Sequence, residues 1–158
     1  MNTLSKKIIV LAILLITTVS NTLKAQSTVY FFVDFRWLLS EYIFIANGNE
    51  AFRMIPEGKP IVKGYDTMMY NMVARKVIFK NPGSYVVSCG YINDGVDYDA
   101  KVNLNLEDGE TYYVILNRNV KRFFYMELLE EKAGLKLLKK AQTSKKYTFN
   151  DDFVYDGN

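Results

Sequence analysis

The sequence predicts an all-β fold, an antiparallel β-sandwich of about seven to eight strands with a short C-terminal helix. Three observations carry that expectation. Runs of aromatic and β-branched residues recur between turn residues along the chain. Residues 101–106 alternate with period two, Val102, Leu104 and Leu106 on one face and Lys101, Asn103 and Asn105 on the other. Helical spacing takes over only near the C-terminus.

Taken in order, Thr28 to Val33 is the first strand, an unbroken aromatic and β-branched run. Tyr42 to Ala46 and Glu50 to Ile55 flank Asn47-Gly48, a hairpin signal because both central residues of a type I′ turn need positive φ. Pro56 to Pro60 reads as the next turn. Residues 67–80 hold one or two strands, with Met68, Met69 and Met72 leaving a helical turn open. Asn81-Pro82-Gly83 punctuates the chain before a buried strand from Ser84 to Ile92. After the alternating strand, Glu107-Asp108-Gly109-Glu110 turns into Thr111 to Leu116, and Arg122 to Leu129 closes the set.

From Glu130 the pattern changes. Leu135, Leu138 and Ala141 or Gln142 fall at helical spacing, and acids lead while lysines follow, as the helix dipole favours. Gly134 costs this helix about 1 kcal/mol relative to alanine. Residues 143–158 are polar with isolated aromatics and are expected to form a partly ordered tail.

The N-terminus reads as a targeting signal. Met1 to Lys7 carries Lys6 and Lys7, Ile8 to Ile16 is apolar, and Thr17 to Ser27 is polar with small residues, the order of a secretory signal peptide. The apolar run is short of the roughly 20 residues a spanning helix needs. Cleavage is therefore expected after Ala25, with a cut after Ser20 as the alternative, membrane attachment only through an uncleaved signal peptide and an exported protein, periplasmic or extracellular, as the product. Residues 26–142 would then form the sandwich domain.

Charge arithmetic follows from that reading. The chain has 20 basic and 17 acidic residues, but Lys6, Lys7 and Lys24 belong to residues 1–25, which hold no acid, so the remainder balances at 17 against 17. A neutral chain lacks the electrostatic footprint of nucleic-acid binding. Histidine is absent, which removes Ser-His-Asp and Cys-His nucleophiles, histidine metal sites and imidazole acid-base chemistry. The lone cysteine, Cys89, cannot form an internal disulfide. Its setting in Tyr-Val-Val-Ser-Cys-Gly-Tyr predicts a small buried strand residue over a reactive thiol.

Four segments together resemble a known bacterial family. They are Val29 to Phe32 (Val-Tyr-Phe-Phe), Pro82 to Val87 (Pro-Gly-x-Tyr-x-Val), Leu104 to Val114 (Leu-x-Leu-x-x-Gly-x-Thr-Tyr-Tyr-Val) and Glu130 to Lys140 (Glu-Glu-x-x-Gly-x-x-x-Leu-Lys-Lys). Their order resembles the family catalogued as domain of unknown function 2846, over roughly residues 27–142. The resemblance implies a small exported β-sandwich and carries no catalytic residues. The stretch from 56 to 74 departs from the family, being longer and rich in methionine.

Candidate sites are few. Asn93 to Asp99 offers Asp94, Asp97 and Asp99, three carboxylates for a calcium ion. The spacing lacks the EF-hand register, which favours an ordinary solvated turn. Glu107, Asp108 and Glu110 crowd one tight turn and would point outward, so they do not make an acid pair flanking a scissile bond. Asp151, Asp152 and Asp156 read as solubilising. Consecutive aromatics such as Tyr30, Phe31 and Phe32 cannot all point inward, and the outward rings are expected to offer a surface to a glycan, peptide or protein. Trp37, between Arg36 and Leu38, is the foremost of these, with capping of the core as its competing role.

The expectation is a non-enzymatic module presenting a binding surface to an envelope protein or glycan, with no cofactor. The alternative is a protein binding a small molecule, glycan or calcium through its aromatic or acidic loops.

Overall fold

In the computed structural model, which describes residues 26–35, 41–60, 68–91, 100–119 and 124–157, strands dominate. In chain order they are β1 (Ser27–Val33), β2 (Tyr42–Ala46), β3 (Asn49–Met54), β4 (Gly58–Pro60), β5 (Met68–Tyr70), β6 (Met72–Phe79), β7 (Gly83–Tyr91), β8 (Ala100–Leu106), β9 (Thr111–Arg118) and β10 (Phe124–Leu128). Helix α1 (Glu131–Thr143) and β11 (Tyr147–Tyr155) complete the set. One sheet has the order β10-β9-β1-β6-β11 and the other β3-β2-β7-β8, while β4 and β5 pair as a separate ribbon.

The sandwich core is built by alternation. Val29, Phe31 and Val33 of β1 face the second sheet, as do Val73, Val77 and Phe79 of β6 and Val114 and Leu116 of β9. Tyr42 and Phe44 of β2, Phe52 and Met54 of β3, and Val87 and Cys89 of β7 come to meet them. Phe31 lies 4.8 Å from Phe52 and 5.3 Å from Phe44, ring centre to ring centre. Such ring contacts add about 1 kcal/mol each beyond the area they bury. The Asn47-Gly48 hairpin forms as expected, with φ of 49° and 87°.

Four expectations need correction. The sheets are not wholly antiparallel: β1 pairs with β9, and β6 with β11, in parallel. Among the described residues nine strands make up the two sheets, against the expected about seven to eight, and Gly58–Pro60, read as part of a turn, is the strand β4. The segment read as a partly ordered tail supplies β11, an edge strand of the larger sheet. Finally, the helix buries Gly134, Leu137 and Ala141, whereas Leu135 is exposed and Leu138 half-buried, so the face turned inward is rotated from the one predicted.

The physical reason for the third correction lies in a bulge. Along β11, Tyr147 aligns with Met72 and Asn150 with Arg75, but Phe153 aligns with Val77, so one extra residue enters between Asn150 and Phe153. An extra residue inverts which side chains face which side. Tyr147 therefore turns to the outer face, and Phe153 and Tyr155 to the sandwich core. No uninterrupted period of two survives in the sequence to announce a strand.

A side-chain seam closes the sandwich where β11 meets the chain after β3. The Ile55 amide donates to Asn150 Oδ1 at 2.8 Å, and Asn150 Nδ2 donates to the Ile55 carbonyl at 2.8 Å. The Glu57 amide donates to Thr148 Oγ1, and the Arg75 guanidinium donates to the carbonyls of Arg53 and Asp151. These bonds occupy backbone groups that an edge strand would otherwise leave open.

The outer face of the larger sheet is also covered. The chain leaves β10 at one edge of this sheet, crosses the outer face as α1 and enters β11 at the other edge. Phe32, Met72, Ala74, Tyr113, Ile115, Leu137, Ala141 and Tyr147 form a second cluster there, with Tyr30 packed against it. The outward rings of β1 and β9 are thus helix-packed, which removes Tyr30, Phe32 and Tyr113 from the expected aromatic surface.

Candidate functional site

Trp37 and the acidic group Asp94, Asp97 and Asp99 lie outside the described residues. Trp37 belongs to the connection from β1 to β2, and the three acids to the connection from β7 to β8. Among the described residues no three acidic or cysteine side chains gather into a metal-binding set. The turn acids Glu107, Asp108 and Glu110 are exposed, and Asp108 Oδ1 accepts a bond from the Gln26 amide. Asp152 pairs with Lys76 at 2.7 Å and Asp156 with Lys80 at 3.9 Å, so these acids tie β11 to β6.

One cluster joins three elements. Asp34, just past β1, accepts hydrogen bonds from the Tyr147 hydroxyl and from Lys140 Nζ at 2.8 Å. The Lys140 ammonium lies 5.5 Å from the centre of the Tyr147 ring. Burial, followed by the bond to Asp34, pushes the Tyr147 phenol up from its ordinary value, so it remains a donor. A phenol held protonated and a carboxylate already holding two donors offer no free base. The cluster acts as a clamp, fixing the last turn of α1 and the start of β11 to the end of β1.

The clamp steadies a surface. On α1, Lys132, Lys136 and Lys139 fall at i, i+4 and i+7, one row along the solvent side opposite Gly134, Leu137 and Ala141. Leu135 stands beside the row and is 48% exposed. Lys145 and Lys146 follow in the turn to β11 and are exposed. None of these five lysines has an ion-pair partner among the described residues.

The row becomes significant against the charge of the rest. Residues 131–146 hold six lysines and one acid, Glu131, for a net charge of +5. The balance of residues 26–158 therefore carries −5. A count over residues 26–158 returns zero and hides this separation, so the row is not legible in the overall charge. Counting charge segment by segment would have found it.

Cys89 is free and buried, and burial pushes its thiol up from an ordinary value of 9.0, away from the thiolate that reactivity needs. Burial first, and Cys89 second, also push up the Tyr42 phenol. These acids keep their protons in the folded chain at a pH where the unfolded chain loses them. The stability they contribute is complete below the unfolded values and falls as pH rises through the gap. Thermal melting is expected to hold level from about pH 7 to 8.5 and then decline, by at most about 1.4 kcal/mol per pH unit per group. The Cys89→Ala variant should delay the decline until the tyrosines of the unfolded chain begin to titrate, near pH 10. A midpoint unchanged to about pH 11 would contradict this assignment.

Compared with known proteins, the chain matches no family model and no curated protein. Among the described residues no helix is long and apolar enough to cross a membrane.

Proposed function

We propose that this chain is an exported, non-enzymatic β-sandwich module that presents a binding surface to a partner in the bacterial cell envelope. The observation that carries the reading is the charge separation. A helix packed on the sheet shows a row of lysines without ion-pair partners among the described residues, while the rest of residues 26–158 has the opposite net charge. The order of charge, apolar run and small polar residues in 1–25 supports export.

The test uses the full chain expressed in a bacterial host with its own N-terminus. The expected product has lost about 25 residues, stays with washed envelopes at low salt and is released by high salt. An intact N-terminus on the recovered protein, or no retention at low salt, would overturn the proposal. A Trp37→Ala variant run in parallel separates the two candidate surfaces: retention lost there but kept when the lysines are reversed would move the surface to the ring.

A further inference from the structure

We infer that the exposed face of α1 is a docking surface for an anionic lipid layer. This rests on the envelope-module reading above and names the chemistry of its partner. Lys132, Lys136 and Lys139 span about 10 Å of helix, since each residue advances about 1.5 Å. Lys145 and Lys146 extend the positive surface past the helix end. A planar layer of negative headgroups matches a row of this kind, and each lysine brought near it strengthens binding about fivefold.

Three features favour lipid over another polyanion. Leu135 stands half exposed beside the lysine row, and an interface of headgroups and acyl chains can bury it while the long lysine side chains keep their charges in the polar layer. A soluble acidic polymer supplies charge but no place for the leucine. The helix also lies across the outer face of the sheet, so its exposed side is presented broadside to a surface.

The third feature is orientation. Residues 131–146 carry +5 and the rest of residues 26–158 sum to −5, so a negative surface attracts the helix and its following turn and repels the remainder. The chain as a whole is neutral between residues 26 and 158, and it would approach such a surface helix first. Gly134 against Tyr113, together with the clamp of Asp34, Lys140 and Tyr147, fixes this face before binding.

The experiment is flotation of the processed chain with vesicles of phosphatidylcholine alone, or with phosphatidylglycerol as a third of the lipid. Salt is set at about 50 mM or about 500 mM, where the screening length falls from roughly 14 to roughly 4 Å. Binding is expected only with phosphatidylglycerol and only at the lower salt. The triple variant Lys132→Glu, Lys136→Glu, Lys139→Glu should bind at least about a hundredfold more weakly. Leu135→Ser should weaken binding several-fold. Lys101→Glu, on the exposed side of β8, should leave binding almost unchanged.

Circular dichroism and melting of the triple variant separate lost binding from lost folding, and the serine variant tests the inference again on a fully charged helix. Equal binding to both vesicle types overturns the inference, as does binding indifferent to the triple variant. So does a soluble polyanion such as polygalacturonate that binds as tightly as the vesicles and ignores Leu135→Ser. If vesicles fail while salt-sensitive envelope retention persists, the lipid falls and the module reading stands.

Discussion

Replacing Gly134 by alanine is expected to destabilise the protein by about 2 to 3 kcal/mol, lowering the melting midpoint by roughly 10 °C. Helix propensity alone gives the opposite sign, since alanine is favoured over glycine by about 1 kcal/mol. Packing decides the outcome. A Cβ at position 134 would stand 2.1 Å from Tyr113 Cγ, 2.4 Å from its Cδ2 and 2.5 Å from its Cβ. No rotation of the tyrosine side chain moves its Cβ away. Its ring is also stacked on Tyr30, centres 5.6 Å apart and planes 10° from parallel. The helix must therefore lift from the sheet, loosening Leu137 and Ala141. Ala133→Gly, at an exposed position one residue earlier, should cost only about 1 kcal/mol. A midpoint that rises in Gly134→Ala would refute the contact.

Phe31→Ala is expected to cost about 4 kcal/mol, read as a lower urea midpoint with an unchanged slope. Phe31 is 1% exposed and is in ring contact with both Phe44 and Phe52, while those two rings stack at 4.6 Å. Its removal opens a cavity between the two sheets that rings held on paired strands cannot collapse to fill. Phe149 provides the comparison: it lies on β11 but is 37% exposed, and Phe149→Ala should change stability by less than about 1 kcal/mol. Equal costs at the two positions would mean that the sandwich core is not where the stability resides.

The two positions also show where sequence reasoning reaches its limit. Tyr30, Phe31 and Phe32 are consecutive rings on β1, and alternation says that their faces differ. It does not say what each face meets. Phe31 enters the sandwich, while Phe32 and Tyr30 lie under α1, a helix far away in the chain. In a two-layer sandwich the outward rings would form a surface. The helix makes this side a third layer, and the surface it shows carries the lysine row with Leu135 beside it.

The candidate site divides in the same way. Lys132, Lys136 and Lys139 share a helix face by spacing alone. That this face is the outward one depends on Gly134, whose missing side chain lets the helix approach Tyr113 closely. Read by propensity, Gly134 is a defect in the helix; packed, it is the point of contact that sets the helix rotation. Leu135, expected inward, is displaced to the exposed side by that rotation.

What the amino-acid order determined unaided is local. The Asn47-Gly48 turn follows from backbone φ preference, the faces of β8 from a period of two, and the burial of Cys89 from its apolar flanks. Tertiary structure alone decided that β11 joins β6 in parallel, that β1 lies between β9 and β6, and that α1 turns its lysines to solvent. Each of these depends on pairing or packing between segments far apart in the chain. Local preferences act within a few residues, whereas a bulge, a strand partner and a missing side chain take their meaning from what lies across the interface.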